Sequence, residues 1–292
     1  MSQTMLTIGL PIALAWMMFC VGLTLSLADF KRVLQFPGKI SAGLAAQLIG
    51  LPLIAYGLIQ LLNLPPVVAV GLWILALAPG GASSNAISHL AGGDSALSIT
   101  MTAISSLIIP FSLPLLLPIV LPLLLPIVLP DVAATLPVKT AILQLVAVTL
   151  MPVVLGMLLK RFIIATWFDK FTHAAGRTAL WALFFTVAIT LAANTKVFYQ
   201  LFSVASLAVL LLCLLGMGLG ALVAKGFGDD AKLTKTFSIE VGIQNAGTAI
   251  FVAVVQLQQP ELALTPLLYG ILMNIPVVLL IARYRRAFSH AN

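Results

Sequence analysis

Nine runs of apolar residues, each about as long as a membrane-spanning helix, follow one another along this chain. A helix needs roughly 20 mostly apolar residues to cross the hydrocarbon core of a bilayer. Of the 292 residues, 61% are hydrophobic and 8% are charged, whereas a soluble domain averages about 25% charged residues. We therefore predict an all-α polytopic membrane protein with one integral membrane domain over residues 1–292. Its spans are expected near 8–27, 40–62, 67–91, 95–129, 137–159, 178–195, 203–224, 236–257 and 264–282.

The basic residues predict how these spans are oriented, because cytoplasmic loops are enriched in Lys and Arg. With the N-terminus outside, all but two of the 15 basic residues fall on the inside, the exceptions being Lys139 and Lys196. The first apolar run precedes the first basic residue, Lys31, so we expect a retained helix and not a cleaved signal peptide. We expect an inner-membrane protein with its C-terminus in the cytoplasm, and we attribute the net charge of +7 to topology and not to nucleic-acid binding.

Two of the predicted spans contain residues that interrupt a helix. The third span carries a Pro-Gly-Gly sequence and polar residues from Pro79 to Asn85, and the eighth carries glycines and polar residues from Glu240 to Thr248. Proline removes a backbone donor, and glycine weakens a helix. Broken backbone at membrane depth is tolerated only where it is buried in protein or lines a watery cavity. Two such spans predict a carrier with a binding site near the midplane, built as an inverted repeat of four plus five spans.

Glu240 is a carboxylate inside the eighth span, where a charged side chain costs about 2.5–3.5 kcal/mol even on insertion scales. The nearest basic residue in sequence, Lys235, lies five positions earlier and so does not share its helix face. We therefore expect a bound cation as the partner of Glu240. The alternatives are a carboxylic acid that stays neutral and a pairing with a distant lysine.

Oxygen-bearing side chains collect beside the two interrupted spans. A hard monovalent cation prefers several oxygens from carboxylate, amide, hydroxyl and backbone carbonyl groups. Taken singly, a membrane Ser or Thr is more often bonded to its own backbone, but as a set these residues predict a cation site. The candidate ligands are Gln47, Ser84, Asn85, Ser98, Thr102, Glu240 and Gln244, of which Ser98 and Thr102 lie one helical turn apart.

Three stretches of the sequence resemble the bile acid:sodium symporter family. The stretch from Pro79 to Thr102 resembles that family's fourth-helix crossover motif and its continuation, and Ser238 to Gly247 resembles its ninth-helix crossover motif. Phe19 to Leu25, followed by Asp29 and Phe30, resembles an early conserved segment. The resemblance covers nearly the whole chain. It implies a sodium-coupled carrier of an organic anion.

The resemblance also implies the positions of the ligands. One sodium site would use Ser84, Asn85, Ser98, Thr102 and Glu240. A second sodium site would use Gln47, Glu240, Gln244 and the backbone carbonyls of Val241 and Ile243. The organic anion would lie behind the crossover, near Asn245 and Asn274 and beside Ala82 and Ser83.

The family fold has a core domain, which contains the crossing helices, and a panel domain that moves against it. Here the core is expected over about 40–129 and 203–282, and the panel over about 8–27 and 137–195. We expect nine spans, because the chain has no room for the extra first helix of many bacterial relatives. Ala82 stands where relatives often carry Thr. His89 stands where Tyr is common, and we expect a hydrogen-bonded packing residue there, the alternative being a proton relay.

The fourth span ends in an unusual proline repeat. The eight residues Leu113–Val120 are repeated at once as Leu121–Val128, and a proline recurs at every fourth position from 110 to 130. Each proline ring clashes with the carbonyl four residues earlier. We therefore expect no regular α-helix through this segment, and interpret it as a tandem duplication of which part bulges into the outside loop.

The function predicted from these features is sodium-coupled symport of a bile-acid-like or smaller carboxylate by alternating access. The expected partners are Na⁺, the anion and the lipid bilayer, with no cofactor, no nucleic acid and no obligate protein partner. Two alternatives stay open, namely a proton-coupled carrier on the same fold and a non-transporting membrane receptor. An intramembrane enzyme is disfavoured because the spans offer His89 without a second His or an Asp to complete a triad, and the sequence contains no His-Glu-x-x-His motif.

Overall fold

The regular elements of the computed structural model are all helices in the part of the chain that it describes, which is residues 2–124, 137–162 and 202–289 with Phe171, Thr172, Ala174, Ala175, Thr178 and Trp181. We number the α-helices in chain order. They are α1 Ser2–Thr24, α2 Leu27–Gln35, α3 Pro37–Ala45, α4 Leu51–Leu61, α5 Pro66–Ala76, α6 Ala82–Leu90, α7 Ser95–Leu124, α8 Val138–Leu145, α9 Met151–Phe162, α10 Val204–Lys225, α11 Ala231–Gly242, α12 Ala246–Phe251, α13 Leu264–Leu272 and α14 Asn274–Ser289. π-helical turns follow α3, α8 and α12, and a 3₁₀ turn precedes α13; they are Ala46–Gly50, Val146–Leu150, Val252–Gln256 and Pro260–Ala263.

Six continuous helical stretches among the described residues are long and apolar enough to cross a membrane, and a bent pair makes a seventh. The bent pair is α1 from Ile8 onward with α2, which turns away from α1 by 67°. The third predicted span is represented by the shorter apolar helix α5 together with α6. The sixth predicted span, 178–195, falls almost wholly outside the described residues. The multi-pass helical class is therefore confirmed.

Both predicted interruptions are present. The backbone leaves the helix after Ala76 and re-enters it at Ala82. In the eighth span α11 ends at Gly242 and α12 begins at Ala246, and Ile243 directly after α11 is extended. Almost the whole of this eighth span is buried, in contrast to the other spans, which are half-buried or less. Broken backbone at membrane depth is tolerated where it is buried within the protein, as it is here.

Glycines bring two pairs of helices into backbone contact. A Cβ built on Gly220 of α10 would lie 2.1 Å from the carbonyl oxygen of Phe237 in α11, and Gly216, one turn earlier, lies close to Gly242. Between α1 and α9, a Cβ on Gly22 would lie 2.2 Å from the carbonyl oxygen of Val153. Small residues four apart let membrane helices approach closely where there is little hydrophobic drive to associate. They therefore fix α10 against α11, which carries Glu240.

The proline-rich end of the fourth span departs from the prediction. The expectation of no regular helix is wrong for its first part, because α7 continues as an α-helix to Leu124 through Pro110, Pro114, Pro118 and Pro122. Prolines four apart lie along one stripe of a helix, so the missing hydrogen bonds are confined to that stripe and the other ladder bonds remain. Pro110 and Pro114 are buried, and neighbouring helices support such a stripe. Residues 125–130 lie outside the described part.

Candidate functional site

The two interrupted spans touch each other at their breaks. The backbone N–H of Asn245 donates to the carbonyl of Ala78 at 2.9 Å. A Cβ built on Gly80 would lie 3.0 Å from the carbonyl oxygen of Ile243, and one on Gly81 would lie 3.1 Å from Nδ2 of Asn245. Glycine lets the two backbones approach this closely. The polar residues of both spans are thereby gathered in one buried region.

The carboxylate of Glu240 lies at the centre of an oxygen cluster. The hydroxyl of Ser98 donates toward Glu240 Oε1 at 2.5 Å and toward Asn85 Oδ1 at 2.8 Å. The hydroxyl of Thr102 lies 3.2 Å from Glu240 Oε2 and 3.0 Å from Asn85 Oδ1. Glu240, Ser98 and Thr102 are all 0% exposed. The expectation that Ser98 and Thr102 face the same way is confirmed.

This cluster contains more hydrogen-bond acceptors than donor protons. Each hydroxyl carries one proton, and an ionised carboxylate and an amide oxygen only accept. Four close oxygen–oxygen contacts therefore share the two protons of Ser98 and Thr102, which is fewer than one proton for each contact. A cation or an added proton among these oxygens would offset the excess of acceptors. The arrangement favours binding of a cation among these oxygens.

Ser84, the remaining member of the first predicted set, lies beside this cluster. It is fully buried and lies close to the Glu240 carboxyl group. Its hydroxyl donates to the carbonyl of Gly81 at 2.8 Å. Ser84 Oγ and Gln47 Nε2 lie 3.0 Å and 3.3 Å from the Cβ that Gly80 lacks. The absence of a side chain at Gly80 therefore keeps the two predicted ligand sets adjacent.

Two further amide side chains, those of Gln47 and Gln244, donate to backbone carbonyls of the eighth span just before its break. Gln47 Nε2 donates to the carbonyl of Glu240 at 2.8 Å, and Gln244 Nε2 donates to the carbonyl of Val241 at 2.9 Å. Both side chains are 0% exposed. Their amide oxygens are buried and have no hydrogen-bond partner among the described residues. Unpaired buried oxygens are costly, so this pair is also suited to coordinating a cation.

The π-helical turn that carries Gln47 has a local cause. Pro52 follows the turn and has no N–H to donate to the carbonyl of Leu48. A π-helical turn absorbs the lost bond by widening the helix, and such turns are frequent at functional sites. Pro152 follows a second of the three π-helical turns, Val146–Leu150, in the same relation.

Tyr269 of α13 is a site residue that the sequence reasoning missed. Its hydroxyl donates to the carbonyl of Gly242, which the end of α11 leaves without a helical partner. Tyr269 is 0% exposed and is among the largest fully buried side chains. Its sequence signal is weak, because an aromatic residue in an apolar run usually serves packing. A buried Tyr hydroxyl, however, requires a hydrogen-bond partner.

The residues expected to bind the anion lie around the start of α6 and α12. Both helices begin directly after the breaks, and Gly81 and Asn245, which precede them, are in contact. Asn245 Oδ1 accepts from the N–H of Thr248 at 3.0 Å and so caps α12. Ser83 lies half-buried in the first turn of α6 and follows Ala82, its first residue.

Asn274 lies farther along the last span, at the start of α14. It is exposed, and Nδ2 donates to the carbonyls of Gly270 and Ile271 at 2.9 and 3.0 Å. A Cβ on Gly270 would lie 3.2 Å from Cβ of Ala246. Asn274 is therefore about one helical turn from the contact between α13 and the start of α12. Its own hydrogen bonds run to its own chain segment and not to Asn245.

Three other polar residues lie near the α6–α7 loop. Thr236 Oγ1 accepts from the N–H of Asp94 at 2.7 Å and donates to the carbonyl of Lys232 at 2.9 Å, which ties α11 to this loop. Lys235 is buried, with Nζ near Gly92 in the same loop. His89 is exposed and lies 3.1 Å from Ser95 Oγ, so it is hydrogen bonded as expected but is not packed in the interior.

Comparison with known proteins identifies the family. The sequence model described as the sodium bile acid symporter family matches residues 11–201. This chain belongs to the sodium bile acid symporter family. The match includes the first interrupted span, Gln47 and the Ser98–Thr102 pair. Membership in this family makes the protein a multi-pass membrane transporter and not an enzyme.

Curated relatives support this membership. The chain is 32% identical over 244 residues to YocS of Bacillus subtilis, an uncharacterized sodium-dependent transporter, covering 82% of this chain and 71% of the relative. It is 29% identical over 250 residues to BASS1 of Arabidopsis thaliana, a probable chloroplastic sodium/metabolite cotransporter, covering 84% of this chain and 58% of the relative. The chain therefore spans less than two thirds of the length of this plant relative. The family is one of sodium-dependent transporters.

Proposed function

We propose that this protein carries a small organic anion across the inner membrane in symport with Na⁺, by alternating access. The observation that supports this most directly is the oxygen cluster around the buried Glu240 carboxylate, in which two hydroxyl protons are shared among four oxygen–oxygen contacts. Na⁺ is small and hard, and it binds carboxylate, hydroxyl and amide oxygens. The printed names of the bacterial and plant relatives describe sodium-dependent transport.

Two sodium sites follow from the two oxygen sets. The first would be formed by Ser84, Asn85, Ser98, Thr102 and Glu240. The second would be formed by the unpaired amide oxygens of Gln47 and Gln244, by Glu240 and by the carbonyls of Val241 and Ile243. Glu240 would neutralise charge in both, so occupation of one site would affect the other. A cooperative dependence of transport on sodium concentration is expected.

The organic anion would lie where the second halves of the broken spans begin. The N-terminus of a helix carries a partial positive charge, and broken transporter helices aim such ends at anionic groups. Here the starts of α6 and α12 adjoin through Gly81 and Asn245. The carboxylate of a bile-acid-like molecule or of a smaller acid would bind near Asn245 and Ser83, with Ala82 and Asn274 at the border of the same region.

Alternating access would use two bodies. The core would comprise about 40–129 and 203–282, and the panel about 8–27 and 137–195, in nine spans that form an inverted repeat of four plus five. Two observations support this division, namely the backbone contact of α10 with α11 and that of α1 with α9. The N-terminus would lie outside and the C-terminus in the cytoplasm, as the basic residues indicate.

Uptake into proteoliposomes tests this function. Purified protein would be exposed to labelled bile acids and short keto- and hydroxy-acids, with an inward gradient of Na⁺ or of K⁺. We expect uptake of at least one carboxylate with Na⁺ only, and its loss in Glu240→Ala. Uptake by Glu240→Ala at the wild-type rate would overturn the assignment of Glu240.

Proton coupling is the second candidate, because a proton on Glu240 would add one donor to a cluster in which acceptors outnumber donors. It would leave the amide oxygens of Gln47 and Gln244 unpaired, which favours sodium. A pH gradient without sodium distinguishes the two, since it drives uptake only in the proton-coupled case. Solute counterflow separates either carrier from a non-transporting receptor, which shows none.

A further inference from the structure

An apolar groove of about 690 Å³ runs between the end of α1, helix α2, helix α7 and helix α9. Its walls are almost entirely hydrocarbon, and its charged lining residues, Lys160 and Arg161, are both basic and lie in the last turn of α9. The residues that form the apolar wall include Leu27, Phe30, Leu107, Val154, Met157 and Leu158. The groove therefore presents a long apolar surface that ends in two positive charges.

Helix α2 indicates the depth of the basic end of the groove in the membrane. α2 turns by 67° from α1, so it cannot continue across the bilayer in the same direction. Leu27 and Leu34, two helical turns apart, are 58% and 83% exposed, while Lys31 and Arg32 lie between them in sequence. Leu27, Lys31 and Leu34 share one exposed face, and this mixture of apolar and basic side chains on a short helix suits the membrane interface. The groove beside it therefore opens at the level of the lipid headgroups.

A hydrogen bond fixes the position of Lys160 at the end of the groove. Lys160 Nζ donates to the carbonyl of Thr24 at 2.7 Å, which ties the end of α9 to the end of α1. The carboxylate of Asp29, the acidic residue of α2, accepts from the N–H and the hydroxyl of Ser26 and so caps that helix. The Arg161 guanidinium, adjacent in sequence to Lys160, offers the planar set of donors that suits a phosphate.

We propose that this groove binds an anionic phospholipid, with its acyl chains along α7 and α9 and its phosphate at Lys160 and Arg161. The charge of the lining selects an anionic headgroup over a zwitterionic one, and the depth and length of the apolar wall select a molecule with acyl chains. Basic pockets between spanning helices bind anionic headgroups in this way. The residues expected to bind the transported anion, such as Asn245, do not line the groove, so this is a separate site. The lipid would join α7 to α1 and α9.

Native mass spectrometry of the purified full chain in detergent tests the proposal. The probes are phosphatidylglycerol and phosphatidylcholine with identical acyl chains. We expect stronger retention of phosphatidylglycerol, and about fivefold weaker retention in Arg161→Gln, since one basic residue near an anionic headgroup contributes about that factor. Lys225→Gln is the matched control, because Lys225 ends α10 and does not line the groove. Equal retention of the two lipids, or an unchanged Arg161→Gln, would overturn the proposal.

A second pair of variants tests the apolar wall. Val154→Trp fills the groove, whereas Leu155→Trp places the same ring on an exposed neighbour that does not line it. We expect loss of phosphatidylglycerol only in Val154→Trp, with both variants eluting as folded protein in size-exclusion chromatography. Loss in Val154→Trp without loss in Arg161→Gln would indicate an apolar additive site and contradict the lipid assignment.

Competition identifies other occupants. Glycerol phosphate carries the phosphate without chains, and we expect no displacement by it at concentrations where phosphatidylglycerol binds. Displacement by glycerol phosphate would indicate a site for a free phosphate ester. Displacement by a bile acid would place the groove on the path of the transported anion. Either result would overturn the proposal. These measurements require no transport, so they stand or fall separately from sodium coupling.

Discussion

Ser98 Oγ lies 2.5 Å from Glu240 Oε1, although the two residues are 142 positions apart and belong to different spans. The same hydroxyl lies 2.8 Å from Asn85 Oδ1, so one proton serves two acceptors. This shared contact joins α7, α6 and α11 at one point. Under the proposed function, a cation bound at this point would compensate the charge of a carboxylate that lies fully buried in an apolar span.

Removing the Ser98 hydroxyl is expected to weaken sodium binding selectively. Ser98→Ala deletes an oxygen that contacts both Glu240 and Asn85, and we expect the sodium concentration for half-maximal uptake to rise by about tenfold, the equivalent of about 1.4 kcal/mol. Ser105→Ala is the matched control, because that hydroxyl donates to the carbonyl of Thr102 within its own helix. Equal shifts in the two variants would show that the effect is not specific to the cluster.

The second sodium site has its own test. Gln47→Leu removes an unpaired amide oxygen and its neighbouring donor while keeping a similar volume. We expect uptake to depend less steeply on sodium concentration, with a Hill coefficient near that of a single ion. Gln60→Leu in the same span changes an exposed amide and should leave the steepness unaltered. An unchanged steepness in Gln47→Leu would remove Gln47 from the sodium sites.

Tyr269→Phe tests the support of the break in the eighth span. The variant leaves the carbonyl of Gly242 without its hydroxyl donor, and an unsatisfied buried group costs about 1–3 kcal/mol. We expect a lower melting temperature and weaker sodium binding. Tyr56→Phe, at an exposed position, is the control. A normal sodium response in Tyr269→Phe would restrict Tyr269 to packing.

The close contact of α10 with α11 predicts a difference between two glycines of one helix. Gly220→Ala would place a Cβ 2.1 Å from a backbone oxygen, whereas Gly218→Ala meets nothing within 4 Å. Overpacking of this kind costs about 1–3 kcal/mol, while alanine favours an open helix position by up to about 1 kcal/mol. Thermal unfolding in detergent should show destabilisation for Gly220→Ala only. Similar melting temperatures would contradict the packing of these helices.

Much of this arrangement could be predicted from the sequence because it depends on local chemistry. Pro79 and the glycines after it break a helix wherever it lies, and Ser98 and Thr102 share a face because they are four apart. The contact of these hydroxyls with Glu240 depends on tertiary packing, which local patterns do not define. The grouping of candidate ligands was therefore predictable, but the distances among them were not.

The residues that sequence reasoning misjudged show where local rules fail. The prolines of α7 suggested an irregular segment, yet their spacing of four confines the lost bonds to one stripe and the helix persists to Leu124. Tyr269 and Thr236 carry no motif, and only the position of their partners, Gly242 and Asp94, gives them a role. For Tyr269 and Thr236 the deciding partner lies on another element.

Direct binding of sodium to the purified protein tests the central claim, that the oxygen cluster around Glu240 holds Na⁺. Radioactive sodium would be titrated in the absence of any organic anion, with the wild type, Glu240→Gln and the control Glu261→Gln, which alters a carboxylate in the 3₁₀ turn before α13. We predict saturable binding in the wild type and in Glu261→Gln, and its loss in Glu240→Gln. Undiminished saturable binding in Glu240→Gln, or no saturable binding in the wild type, would contradict it.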